Sequence, residues 1–102
     1  MKDPMKMMRQ VQQMQEKMNK VQVELETDTV EGTAGGGAVR VVATGTQKVV
    51  SVTIDPAAAS DTEMLQDLVI AAVNDAMEQS KQLAASKMQA VASGLGLPPG
   101  LI

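Results

Sequence analysis

Residues 35–56, Gly35-Gly-Gly-Ala-Val-Arg-Val-Val-Ala-Thr-Gly45-Thr-Gln-Lys-Val-Val-Ser-Val-Thr-Ile-Asp-Pro56, decide how this chain folds. They hold its densest block of β-branched residues, disposed on both sides of a glycine turn. Val39, Val41 and Ala43 point one way, and Val50, Val52 and Ile54 answer them after the turn, as the two-residue period of a strand requires. A tight connection at Gly45-Thr46 predicts Val41 opposite Val50 and Val39 opposite Val52, with Arg40 facing Ser51 on a more polar surface. A two-stranded hairpin is marginal in water, so it needs a third strand and a covering helix. The flanks supply both.

Upstream, Asp3-Pro4 is an N-cap followed by proline at the first helical position. Apolar residues then recur at Met7, Val11, Met14, Met18, Val21 and Leu25, a heptad seam that demands an apolar partner along its length. The pattern predicts a helix over 4–26. Thr27, Thr29, Val30 and Thr33 favour extended chain, which predicts an edge strand at about 28–34. The glycines at 35–37 turn it into a second strand at 38–44, and a third follows at 48–54. No Gly-Lys-Ser/Thr follows the glycines and no helix comes next, so they do not make a phosphate loop.

Downstream, Asp55-Pro56 ends the third strand, and Ser60-Asp-Thr-Glu63 reads as a capping box. The second helix is predicted over 61–92. Its first half is richly apolar and should cover the sheet, with Met64, Leu65, Leu68, Val69, Ala72, Val73, Ala76 and Met77. Its sparser second half, with Leu83, Ala84, Met88 and Val91, should reach beyond the sheet and pack antiparallel on the methionine seam. An irregular tail is expected at 93–102. The fold class is α+β, with a long N-terminal helix, a three-stranded antiparallel sheet and a long C-terminal helix, read as one domain over 1–102.

Composition narrows the chemistry. With 102 residues, nine Met and no Phe, Tyr or Trp, the core offers little burial per residue, and oligomerisation is expected to supply the rest. There is no Cys for disulfides or thiolate chemistry, and no His for metal binding or acid–base work. The scattered carboxylates of the second helix suit a helix start, so no enzyme activity, metal or cofactor is expected. No signal peptide or membrane-spanning run is read, which predicts a soluble cytoplasmic protein without a membrane partner or small-molecule substrate.

The net charge is −3, but it is unevenly spread. Residues 1–20 carry Lys2, Lys6, Arg9, Lys17 and Lys20 against Asp3 and Glu16, a balance of +3 beside −6 for the remainder. Lys2, Lys6 and Arg9 stand three or four apart, on one flank of the first turns. Such asymmetry suits a surface that meets a polyanion.

Several stretches together resemble the YbaB/EbfC family of small bacterial nucleoid-associated proteins: Gln12–Met18 (QQMQEKM), Val49–Pro56 (VVSVTIDP), Glu63–Ala76 (EMLQDLVIAAVNDA) and Leu97–Gly100 (LPPG). The resemblance spans nearly the whole chain, which departs from the family pattern in having no aromatic residue in its second helix or tail. It implies a tweezer-like homodimer, with sheets at its centre and projecting helical arms that bind double-stranded DNA in the nucleoid. Carried onto this sequence, the DNA-binding positions are Lys6, Arg9, Lys17 and Lys20, with Lys81 and Lys87 on the second helix. It supplies no catalytic residues. The alternative is a protein–protein interaction module that grips a partner with Met-rich arms, DNA affinity being incidental.

Overall fold

Asp3 starts the first helix as its sequence requires, its carboxylate accepting from the Met5 amide at 3.0 Å. The computed structural model describes residues 3–94. In chain order these form α1 (Pro4–Thr27), β1 (Thr29–Ala34), β2 (Val39–Thr44), β3 (Val49–Ile54) and α2 (Thr62–Gly94). Short 3-10 turns at Gly35–Gly37 and Pro56–Ser60 join them. The expected tail at 93–102 lies outside the described residues beyond Gly94, which itself is helical.

The sheet is antiparallel in the order β1-β2-β3. Val30, Gly32 and Ala34 of β1 face Ala43, Val41 and Val39 of β2. This is the face that α2 covers, through Ala72 and Ala76, with Leu65, Leu68, Val69, Val73 and Met77 packed around them. The helix lies unusually close. A Cβ on Gly32 would stand 2.3 Å from the Ala76 backbone nitrogen and 2.4 Å from the Ala72 carbonyl oxygen. Three residues with little or no side chain therefore set how deeply α2 seats. The outer edge of β1 is also occupied: Asp75 accepts from the Thr33 amide at 3.0 Å, and Gln79 donates to the Glu31 carbonyl at 2.8 Å. Met64 and Ile70 stay exposed, so α2 buries a narrower stripe than its apolar content suggests.

The hairpin differs from expectation in register. Val39 faces Ile54, Arg40 faces Thr53 and Val41 faces Val52, two residues beyond the pairing a tight turn would give. The connection is a wider loop, closed by the Thr44 amide to the Lys48 carbonyl at 2.8 Å, with Gln47 at a φ of 66°. A register irregularity at Val42/Ala43 pairs Ala43 with Val49 and leaves Val50 as the extra residue of a bulge. A shift of two keeps each residue on its face, so the apolar and polar surfaces survive the correction. Val50 does not become a buried partner of Val41. It is 52% exposed, and every residue of β3 is exposed, because α2 packs over β1 and β2 only.

Helix α2 also begins differently. Ser60 closes the preceding 3-10 turn by donating to the Ala57 carbonyl, and Asp61 caps the helix by accepting from the Met64 amide at 3.1 Å. A serine engaged by its own turn is not available as a cap.

Beyond the sheet, the far half of α2 packs antiparallel on α1. Val21, Leu25 and Val91 form a second small core with Met18, Leu83, Ala84 and Met88 around it. The α1 root is fitted to the β2–β3 loop, where a Cβ on Gly45 would stand 2.5 Å from Leu25 Cδ2. The seam is used over half its length: Val21 and Leu25 are buried, Met14 and Met18 half-buried, Met7 and Val11 exposed. Its outer half runs past the described end of α2. The radius of gyration is accordingly 19.1 Å, against about 13 Å for a compact chain of this length.

Candidate nucleic-acid interface

An unbroken α1 turns a scatter of cations into a line. Lys6, Arg9, Gln13, Lys17 and Lys20 recur at intervals of three or four residues within one helix, so they occupy one face beside the methionine seam. From Lys6 to Lys20 the stripe runs about 21 Å, at 1.5 Å per residue. All five residues are exposed. None of the four cations forms an ion pair among the described residues.

Two open depressions lie end to end along this stripe. The outer, of about 370 Å³, is lined by Asp3, Lys6, Arg9, Gln10 and Gln13. The inner, of about 390 Å³, is lined by Lys17, Lys20, Glu24 and Lys87 together with the apolar Val21, Ala90 and Val91.

The expected positions on α2 fare differently. Lys81 is exposed and lies about a third of a turn round the helix from Lys87. Lys87 reaches toward α1 and is already engaged. Its Nζ lies 3.0 Å from Glu24 Oε2 and also donates to the Asp28 carboxylate. These contacts, that with Asp28 first and that with Glu24 second, raise the ammonium above its ordinary value of 10.5. Lys87, which the resemblance places among the DNA-binding positions, is thus ion-paired within the chain. Spacing within α1 could have revealed Gln13 as a member of the stripe. The pairing of Lys87 joins residues about sixty positions apart and has no local signal.

Among the described residues no group of three or more acidic side chains is placed to hold a metal ion, and no helix is long and apolar enough to cross a membrane. What the geometry defines is a small helix–sheet–helix protein with a line of exposed cations along one face of its first helix.

The chain belongs to the YbaB/EbfC DNA-binding family, which matches residues 1–95. It is 46% identical over 103 residues to a nucleoid-associated protein of Dictyoglomus turgidum, covering 99% of each chain. It is 55% identical over 95 residues to a nucleoid-associated protein of Desulforamulus reducens, covering 91% of this chain and 90% of that one. The fold is shared with a crystal structure of an uncharacterized protein, HP0035, from Helicobacter pylori. That match has a TM-score of 0.70 and 21% identity over 80% of this chain and 88% of the other. The family is a DNA-binding one, not an enzyme class.

Proposed function

We propose that this chain is an architectural, nucleoid-associated protein that binds double-stranded DNA as a homodimer. In this reading Lys6, Arg9, Lys17 and Lys20 contact phosphates. The observation that carries it is the 21 Å line of four unpaired cations along one face of a projecting helix in a member of a DNA-binding family. Duplex DNA presents a phosphate about every 3.4 Å of axis on each strand, so the stripe matches roughly six base pairs. There is no aromatic side chain on which unstacked bases could rest, which favours a duplex over single strands. Phosphate contacts position a protein without reading sequence, as an architectural role requires. A Met-rich arm that grips another protein instead is not favoured, because the family and the names of the relatives point to DNA and the nucleoid.

The homodimer rests on β3. It ends the sheet, carries exposed Val49, Val50, Val52 and Ile54, and lacks the side-chain caps that α2 gives β1. An uncovered apolar edge strand invites pairing with a second copy.

The DNA reading is tested by mobility shift on duplexes of unrelated sequence. The double variant Lys6→Glu, Arg9→Glu should weaken binding to all of them alike and leave the fold intact, since both side chains are exposed and off the buried part of the seam. Unaltered affinity would sink the assignment of this face.

A further inference from the structure

The stripe on α1 changes sign at its root. Continuing the spacing of Lys6, Arg9, Gln13, Lys17 and Lys20 by four and four more residues brings Glu24 and Asp28 onto the same face. Lys87 comes from α2 to sit between them, 3.0 Å from Glu24 Oε2 and bonded to the Asp28 carboxylate. The three side chains are about one-third exposed, at 29%, 41% and 38%. Two carboxylates and one ammonium leave the root with a net charge of −1, beside the unpaired Lys17 and Lys20 further out. A phosphate approaching Lys87 would have to displace two anions that stay within a few ångströms to repel it. Across so short a distance that repulsion is weakly screened.

We propose that Glu24, Asp28 and Lys87 mark the inner boundary of the DNA footprint, with Lys87 serving as the counter-ion that masks the two carboxylates and not as a phosphate ligand. This rests on the DNA reading above and adds where the duplex stops along the arm. The duplex lies on the outer stripe from Lys6 to Lys20, and the root holds the two helices together while keeping phosphates out. Lys87 is in this sense a positioning residue. Its removal bares Glu24 and Asp28 at the edge of the binding face.

The experiment compares three chains by titration with a random-sequence duplex at several salt concentrations, each first shown to be folded by circular dichroism. Lys87→Gln should weaken binding by up to about fivefold at low salt, the scale of one partly exposed charge interaction. The triple variant Glu24→Gln, Asp28→Asn, Lys87→Gln should recover the native affinity or exceed it, with the native salt dependence, although it too lacks the lysine. Were Lys87 a phosphate ligand, the triple variant would stay weak and its salt slope would flatten by about one per protomer. That result overturns the proposal, as does a folded Lys87→Gln chain with native affinity, which would make the cluster a structural tie only. If Lys87→Gln alone does not fold, the triple variant decides: native affinity and slope support the boundary, and loss of either overturns it. The double variant Lys6→Glu, Arg9→Glu tests the DNA reading separately. A native chain that binds no duplex would end both.

Discussion

At the scale of single residues the fold depends on two positions that composition alone would pass over. Ser80 is completely buried on α2 and holds the β2–β3 loop from below: its hydroxyl donates to the Thr44 carbonyl at 2.7 Å and accepts from the Gln47 amide at 3.1 Å. Replacing it with alanine removes both bonds and leaves the Gln47 amide and the Thr44 carbonyl only the 3.1 Å bond that they make to each other, a loss of about 0.5–1.5 kcal/mol for each bond removed. Thermal melting of Ser80→Ala should show that loss as a lower midpoint. A native midpoint would mean that water or a loop shift replaces the hydroxyl. Gly32 is the second position. Any Cβ there meets α2 backbone, not a side chain that could rotate away, so Gly32→Ala should cost about 3 kcal/mol or more, the upper end of overpacking. A melt equal to that of the native chain would show that α2 seats less tightly than its geometry indicates. Neither role is written locally, for the partners of Ser80 lie 33 and 36 residues away. The ion pairing of Lys87 is hidden for the same reason, since its charge is visible in the sequence and its partners Glu24 and Asp28 are not.

The elements were far more legible than their contacts. Period-two valines, the Asp-Pro start of α1 and the glycines at 35–37 placed all five main elements within about two residues of their observed bounds. Gly35, Gly36 and Gly37 all adopt positive φ, the conformation that suits glycine in a turn. The hairpin register was missed because it depends on a loop whose shape Ser80 helps to fix, and a short glycine turn was the natural reading without it. The alternation of β3 predicts an apolar face for a helix to cover, yet every residue of β3 is exposed and the core under α2 is built from β1 and β2. That difference yields a prediction at this scale. If a second copy covers β3, Val52→Asp should give a folded monomer, because the valine is already 45% exposed within the chain. Light scattering after gel filtration should then read near 10.7 kDa for the variant and about twice that for the native protein. A native chain that runs as a folded monomer would sink the dimer. A variant that unfolds would place Val52 in the chain's own core.

Seen as a whole molecule, the chain is a rod of 70 × 21 × 15 Å, with its apolar body toward one end and its basic arm toward the other. The charge asymmetry and the helix over 4–26 were both legible in the sequence, and the continuous α1 brings the four cations of that helix onto one face. The outer half of the seam, with Met7 and Val11 exposed, gave no warning, since a heptad pattern does not say how far its partner extends. The arrangement fixes a measurable quantity. If Lys6, Arg9, Lys17 and Lys20 each neutralise one phosphate in both protomers of a dimer, eight counterions leave the duplex on binding. At about −0.9 per phosphate, the slope of log affinity against log salt would be roughly −7. Glu16 on α1 and the acidic remainder of the chain repel the same phosphates, so that figure is an upper bound in magnitude. Lys6→Glu, Arg9→Glu removes four of the eight contacts and should flatten the slope by roughly 3 to 4. The change should be equal on AT-rich and GC-rich duplexes, because phosphates carry little sequence information. A slope near −1 in the native protein would mean that one or two charges do the work, and the line of cations on α1 would not be the binding face.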